Sequence, residues 1–283
     1  MADEKALKAF ISGRALGCEV SRSEALRPDL AGMGIFGAPV FAAAEAGDGM
    51  FQSLKGAGAV GGHHFLPRDW IPGARFVLSV FLPFRKRVKD ANTASDTWPA
   101  DEWLHARIEG QRFMSALAGE AAGMLRADGF EAVSPCLDPR FWSADGIGPQ
   151  AASGPAGDGA AAAAYTSNWS ERHVAFVCGL GTFGLSKGLI TEKGVAGRLF
   201  SLVTDMELSP TPRRYGGLYE YCVGCGRCAA LCPAGAIDPG TGKDHAACGR
   251  FLYETKLRFR PRYGCGKCQT GVPCESERPR RAT

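Results

Sequence analysis

No apolar run in the 283 residues reaches the ~18 needed for a membrane-crossing helix, so no span is expected. No charged-then-apolar segment of the signal-peptide kind opens the sequence. The expected setting is therefore the reducing cytoplasm, where disulfides are not expected. Charge of one sign is also in short supply, since the net charge is a modest +4. It is unevenly spread: from residue 211 onward 13 Lys and Arg face 6 Asp and Glu, which puts +7 in the tail and −3 in the rest. Lys256, Arg258, Arg260 and Arg262 form one basic group, and Arg278, Arg280 and Arg281 another. Such a tail can meet nucleic acid or an acidic electron-transfer partner; the preferred reading is that it offsets anionic groups bound nearby. An apolar fraction of 45% supports a full core, in one large domain or two ordinary ones.

Cysteine is what the chain does have. Eight of its eleven crowd the last quarter. The first four read Cys222-x2-Cys225-x2-Cys228-x3-Cys232-Pro233, and the second four Cys248-x16-Cys265-x2-Cys268-x5-Cys274. The first string is the bacterial ferredoxin run that holds 4Fe–4S clusters. Thiolates two residues apart on a tight loop reach three corners of one cube, and Gly224 and Gly226 let that loop bend. In two-cluster ferredoxins the fourth Cys of the run serves the other cluster. That rule, extended by two-cluster symmetry to Cys274, assigns Cys222, Cys225, Cys228 and Cys274 to one cluster. It assigns Cys232, Cys248, Cys265 and Cys268 to the other. The alternative is structural zinc on paired knuckles, which needs neither a third Cys in the run nor a fourth followed by Pro. Cys18, Cys136 and Cys178 sit beside apolar residues and are expected to be inert.

The remaining sequence predicts an α+β protein. Leu7, Phe10, Ile11 and Ala15 give a helix over 4–16 with Asp3 as N-cap. Residues 31–62, rich in Gly and Ala, read as a long ligand-covering loop with short helical pieces. Residues 75–82 form a buried central strand. Residues 102–126 carry the strongest helical stripe, closed by Gly129, and a short strand follows at 130–133. Residues 145–164 are a Gly, Ala, Pro and Ser loop. A helix restarts over 170–178 with Ser170 as N-cap and Glu171 in its first turn. Gly179-Leu180-Gly181-Thr182-Phe183-Gly184 has the G-x-G-x-x-G form, but no strand clearly precedes it, which counts against a dinucleotide site. Residues 199–204 form an apolar strand. His63 and His64 are neighbours, read as one exposed and one packed rather than as a shared metal site.

These pieces, in this order, resemble a known superfamily. Glu171-Arg172-His173-Val174-Ala175 leads through Cys178 to the Gly179–Gly184 turn. Gly188-Leu189-Ile190-Thr191, then Leu202-Val203-Thr204-Asp205 and the two cysteine strings follow. Upstream, Ile71-Pro72-Gly73-Ala74-Arg75 precedes an apolar strand. From about residue 65 to about residue 275 this is similar to the epoxyqueuosine reductases and corrinoid reductive dehalogenases. The resemblance implies a nitroreductase-like core over residues 1–210 that holds base-off cobalamin where other members of that fold hold flavin. A two-cluster ferredoxin-like module over 211–283 would feed it electrons from an external low-potential donor. The absence of a D-x-H-x-x-G segment agrees with a corrinoid that takes no protein His below the metal. Gly179, Gly181 and Gly184 would let backbone approach the macrocycle. Arg172 and Lys187 would contact its amides or phosphate, unless they are solvated helix charges.

The departures from the family pattern matter as well. The chain stops soon after Cys274, where tRNA-acting relatives continue, so tRNA is a doubtful partner. The spacing Cys268-x5-Cys274 exceeds the usual three-residue gap. The family's acid lies about fourteen residues before the Gly-x-Gly, and that position here is Tyr165, a phenol suited to protonating a product. Otherwise Tyr165 is an aromatic anchor for a loop, and Asp138 is the second candidate acid. The expected function is a reductase acting on a small molecule or modified nucleoside. An electron-transfer protein or a corrinoid carrier or reactivator is the alternative, and flavin the alternative cofactor.

Overall fold

A computed structural model describes residues 3–144, 147 and 165–280. The chain begins with α1 (Glu4–Leu16), β1 (Val40–Glu45), α2 (Gly49–Ser53), α3 (Pro67–Trp70) and β2 (Phe76–Pro83). It continues through α4 (Lys86–Ala94), α5 (Asp101–Ala127), β3 (Ala132–Val133), β4 (Ser143–Ala144) and β5 (Thr166–Ser167). Next come α6 (Glu171–Cys178), β6 (Gly181–Phe183), β7 (Leu189–Thr191) and β8 (Gly197–Thr204). The cysteine-rich part holds α7 (Arg227–Ala230), β9 (Ile237–Asp238), β10 (Gly242–Lys243) and α8 (His245–Arg258).

Continuous burial explains why β2 is the centre. All eight of its residues are buried, and it lies between β1 and β8 in an antiparallel sheet of order β1-β2-β8-β3. Its side chains alternate, as a strand's must. Leu78, Val80 and Leu82 meet α1, α4 and α5 through Leu7, Ile11, Val88, Leu117 and Leu125. Val77 and Phe81 face the other way, toward Phe51, Trp169, Val174 and Val177. The sheet is thus sandwiched between helices, and each fully buried Leu or Phe contributes about 1.5–3 kcal/mol. The helices over 4–16 and 102–126 form within a residue of expectation. Asp3 accepts the Ala6 amide at 2.7 Å, and Gly129 takes a φ of 90°.

Three local expectations need correction. The stretch 31–62 is not only loop, because Val40–Glu45 is a full sheet strand. Its Ala42, Ala43 and Ala44 lack the bulk that marks strands, and pairing to β2 decides their state. Ser170 stands at the N-cap of α6 but gives it no side-chain cap; its hydroxyl bonds His173 Nδ1 at 2.7 Å. The strand after α5 is only two residues long. The expected loop at 145–164 lies, Ile147 apart, outside the described residues.

The cysteine-rich segment is bonded to the sheet layer at several points. Val195 donates its amide to the Cys274 carbonyl at 2.8 Å. Asn92 of α4 donates to the Cys265 carbonyl and to Thr270, both at 3.1 Å. Lys267 buries its ammonium among Asn92 O, Ser95 O and Ser95 Oγ at 2.6–2.7 Å. Arg262 reaches Glu109 of α5 at 2.7 Å, with the two side chains 10% and 8% exposed. Burial works against the Glu109 charge, yet hydrogen bonds from His105 and Arg262 hold its pKa down at about 2. Arg262→Met leaves that carboxylate to His105 and Arg112. Its expected cost is about 3 kcal/mol, the lower end for a broken buried pair, read as a fall in thermal midpoint.

Candidate functional site

The first cysteine string folds as a loop that runs into α7. Gly224 and Gly226 hold φ of 67° and 68°, in the left-handed region that turns the chain back on itself. The structure brings Cys222, Cys225, Cys228 and Cys274 around one small cavity, together with Gly184, Ile190 and Val272. Cys225 is exposed and the other three half-buried. Burial, reinforced by the neighbouring sulfurs, pushes the Cys228 thiol up to about 11 and Cys274 to about 12.

Cys232, Cys248, Cys265 and Cys268, the inner group, border a larger cavity of about 320 Å³. Cys248 is carried on α8, a helix that the sixteen-residue gap in the cysteine pattern concealed. Among the described residues no three His, Cys, Asp or Glu side chains converge to hold a single ion; each group of four sulfurs borders a space instead. Lys243 faces this inner group. Burial opposes its charge, but the Cys268 and Cys248 sulfurs raise its pKa overall. Phe81, Phe84, Trp103 and Leu199 supply apolar wall, and Arg107, Arg172 and Arg198 add cations. Arg198 donates to the Arg107 carbonyl at 2.7 Å, while its buried Nε has no partner.

Tyr165, Glu171 and Arg172 border this cavity and also a neighbouring one of about 570 Å³. Arg172 donates to Tyr165 Oη at 2.6 Å and to the Lys187 carbonyl at 2.8 Å. The Tyr165 ring stacks on His245 at 4.9 Å, which joins the core to the start of α8. Lys187 lies on the 570 Å³ cavity, hydrogen-bonded to Tyr219 Oη, with its ammonium 4.8 Å from that ring. It is the one non-glycine among the described residues with positive φ, 61°, a strained conformation that surroundings must hold.

Not every candidate gathers there. Asp138 borders neither large cavity; Arg140 grips it at 2.8 Å through Nε and Nη2, and this lowers its pKa. Gly179 ends α6 with φ 99° against Thr211, and Gly184 lies at the outer cysteine cavity. Gly181 lies against the backbone of β7, where a Cβ would fall 2.0 Å from the Ile190 carbonyl oxygen. Its need for hydrogen comes from this hairpin rather than from open space.

Other site residues escaped the sequence reading. Glu171 was visible only as a first-turn acid. Its Oε1 accepts the Cys136 thiol at 3.2 Å and its buried Oε2 has no partner. Burial pushes its pKa up to about 7, against smaller opposing contributions from Cys136 and Ser201. His173 and His245 line the larger cavity, and burial pushes both down to about 4, which keeps them neutral near pH 7. His173 stood in the family-like string with no role attached, and for His245 nearness to Cys248 in sequence was the only signal. Of the paired histidines, His63 is exposed and His64 buried, stacked on Trp169.

Comparison with known proteins fits this geometry. A 4Fe-4S binding domain matches residues 218–238. An epoxyqueuosine reductase of Bacillus cereus is 32% identical over 118 residues, covering 38% of this chain and 30% of that protein. A tetrachloroethene reductive dehalogenase of Desulfitobacterium hafniense is 43% identical over 65 residues, covering 23% and 12%. The matches thus span less than a third of either relative's length. Among solved structures, a reductive dehalogenase of B12-dependent dehalogenation superposes with a TM-score of 0.52 at 15% identity, covering 85% of this chain and 30% of its own. The chain is therefore similar in sequence to both groups of oxidoreductases and shares the dehalogenase fold. No helix among the described residues is long and apolar enough to cross a membrane.

Gly181→Val is expected to fail through packing. A branched side chain driven into the Ile190 carbonyl should cost about 1–3 kcal/mol or more, as overpacking does. Thermal denaturation of cofactor-free protein checks this: a lower midpoint with no ligand present locates the defect in the β6–β7 hairpin.

Proposed function

We propose that this chain is an iron–sulfur reductase in which electrons enter at the outer cysteine group, pass to the inner one and reach a corrinoid in the two large cavities. In this reading Cys222, Cys225, Cys228 and Cys274 hold one 4Fe–4S cluster, and Cys232, Cys248, Cys265 and Cys268 the other. Residues 1–210 are the corrinoid-binding core, of nitroreductase-like type, and 211–283 the ferredoxin-like module. The observation that carries the reading is where the two thiol groups lie. Cys225 is exposed, while the inner group borders the cavity that Tyr165, Glu171 and Arg172 share. An external low-potential donor has access to the first and a buried reactant to the second.

The residues fit a corrinoid. The two cavities meet at the same three side chains, and a partnerless buried donor, Arg198 Nε, remains for a large amide-fringed ligand. When bound, a corrinoid supplies a strongly nucleophilic low-valent cobalt. Arg172 and Lys187 hold its amides or phosphate, and the turn at Gly179, Gly181 and Gly184 fixes the frame behind them. Tyr165 holds a proton on an oxygen that Arg172 orients. Phe81, Phe84 and Trp103 exclude water from the cluster side. Asp138, tied to Arg140, is the weaker acid candidate. The matched relatives' names point to organohalides and epoxide-bearing nucleosides as the substrate classes to assay.

Anaerobic reconstitution with iron, sulfide and hydroxocobalamin tests this. Roughly eight irons and eight sulfides per chain are expected. The corrinoid spectrum should move to the base-off form without nitrogen hyperfine structure from His173 or His245. Stoichiometric zinc without sulfide, or tight flavin with no response to cobalamin, contradicts the reading. With either substrate class, Tyr165→Phe should keep iron and corrinoid while turnover falls about 10²–10⁴-fold. Unchanged turnover removes Tyr165 from the mechanism.

A further inference from the structure

Bringing an electron into a buried site adds negative charge, and one carboxyl here is placed to balance it. Glu171 opens α6 and borders the same cavity as Cys232, Cys248, Cys265 and Cys268. Its Oε1 is occupied by the Cys136 thiol, and its buried Oε2 meets no donor in hydrogen-bond geometry, with Ser201 beside the carboxyl. A carboxylate oxygen stranded in this way pays for its charge, whereas a protonated one does not. Charges that share a desolvated cavity are weakly screened, so an added electron is felt across it.

We propose that Glu171 is the proton partner of electron entry, binding one proton at Oε2 when the inner cluster is reduced and releasing it as the electron moves on. This rests on the reading that the inner cysteine group holds a cluster. The step balances: the external low-potential donor supplies one electron and solvent one proton. An O–H bond forms at Oε2. When the electron leaves, that bond breaks and the proton returns to solvent, while Tyr165 remains the acid that serves the product.

The surroundings leave this role to Glu171. Cys136 from the turn after β3, Cys178 on its own helix and Ser201 of β8 pack around it. Burial raises both thiols, so neither loses a proton near neutrality. His64, His173 and His245 are pushed to about 4 by burial and stay neutral. Tyr165, Arg107, Arg172, Arg198 and Lys243 complete the cavity's polar wall. Burial alone already raises the Glu171 carboxyl to about 7. Reduction adds negative charge and raises its proton affinity; by linkage the cluster's potential then falls as pH rises between the oxidised-state and reduced-state pKa values.

Redox titration of the reconstituted protein from pH 6 to 9, followed by electron paramagnetic resonance, tests this. In the wild type the inner cluster's reduction constant should fall up to tenfold per pH unit, about 59 mV for one electron. The outer cluster's should stay flat. Glu171→Gln, nearly isosteric, should keep both clusters and abolish the slope, and Glu171→Asp should restore it. A flat wild-type profile, or a slope that survives in Glu171→Gln, overturns the proposal while leaving the cluster assignment standing. A protein with no reduced-cluster signal overturns both.

Discussion

The proposed electron transfer depends on how rigidly the cysteine-rich segment is pinned to the sheet layer. Electron transfer needs a fixed separation between donor and acceptor, and the pinning supplies it. Val195 donates to the Cys274 carbonyl, Asn92 to the Cys265 carbonyl, and Lys267 spends its charge on the end of α4. Arg262 and Glu109 close the far end. Each of these bonds lies beside a cysteine or within a few residues of one. A segment too rich in glycine and polar residues to build a large core of its own borrows the order of its neighbour.

The same seam concentrates charge. Four sulfurs, Lys243 and three arginines border one cavity against the apolar wall of Phe81, Phe84 and Trp103. Of these cations only Lys243 comes from the basic tail; the three arginines belong to the core. Lys243 keeps its charge despite burial because sulfur lies near it. Arg198, by contrast, has its pKa pressed down by burial, with a donor left over. Such a wall is costly when empty, and the proposed anionic cluster on one side and polar ligand on the other would relieve it.

Much of the fold was legible because its signals are local. A run of eight buried residues from Phe76, a helical stripe from Trp103 and a capping Asp3 declare themselves in a window of a few residues. What escaped depends on partners. Val40–Glu45 is a strand because β2 supplies hydrogen bonds to three alanines, which no periodicity announces. The α8 helix hides inside a cysteine spacing. Within the site, Arg172, Tyr165 and Lys187 were found through their place in a motif, and the structure sets them on the cavities. Glu171 was legible only as a helix-start acid, because what distinguishes it is a wall formed by residues from β8 and the turn after β3. The glycines of the 179–184 turn were read as making room for a ligand; for Gly181 the room is taken by Ile190.

The central claim is that the inner cysteine group holds a cluster next to a bound corrinoid, in one electronic unit. Electron paramagnetic resonance of the reduced, corrinoid-loaded protein measures this directly, since two paramagnets a few ångströms apart split or broaden each other's lines. The account predicts such broadening of the cobalt signal, abolished by Cys265→Ser and kept in Cys225→Ser. A cobalt spectrum that is the same with and without the reduced inner cluster would contradict it.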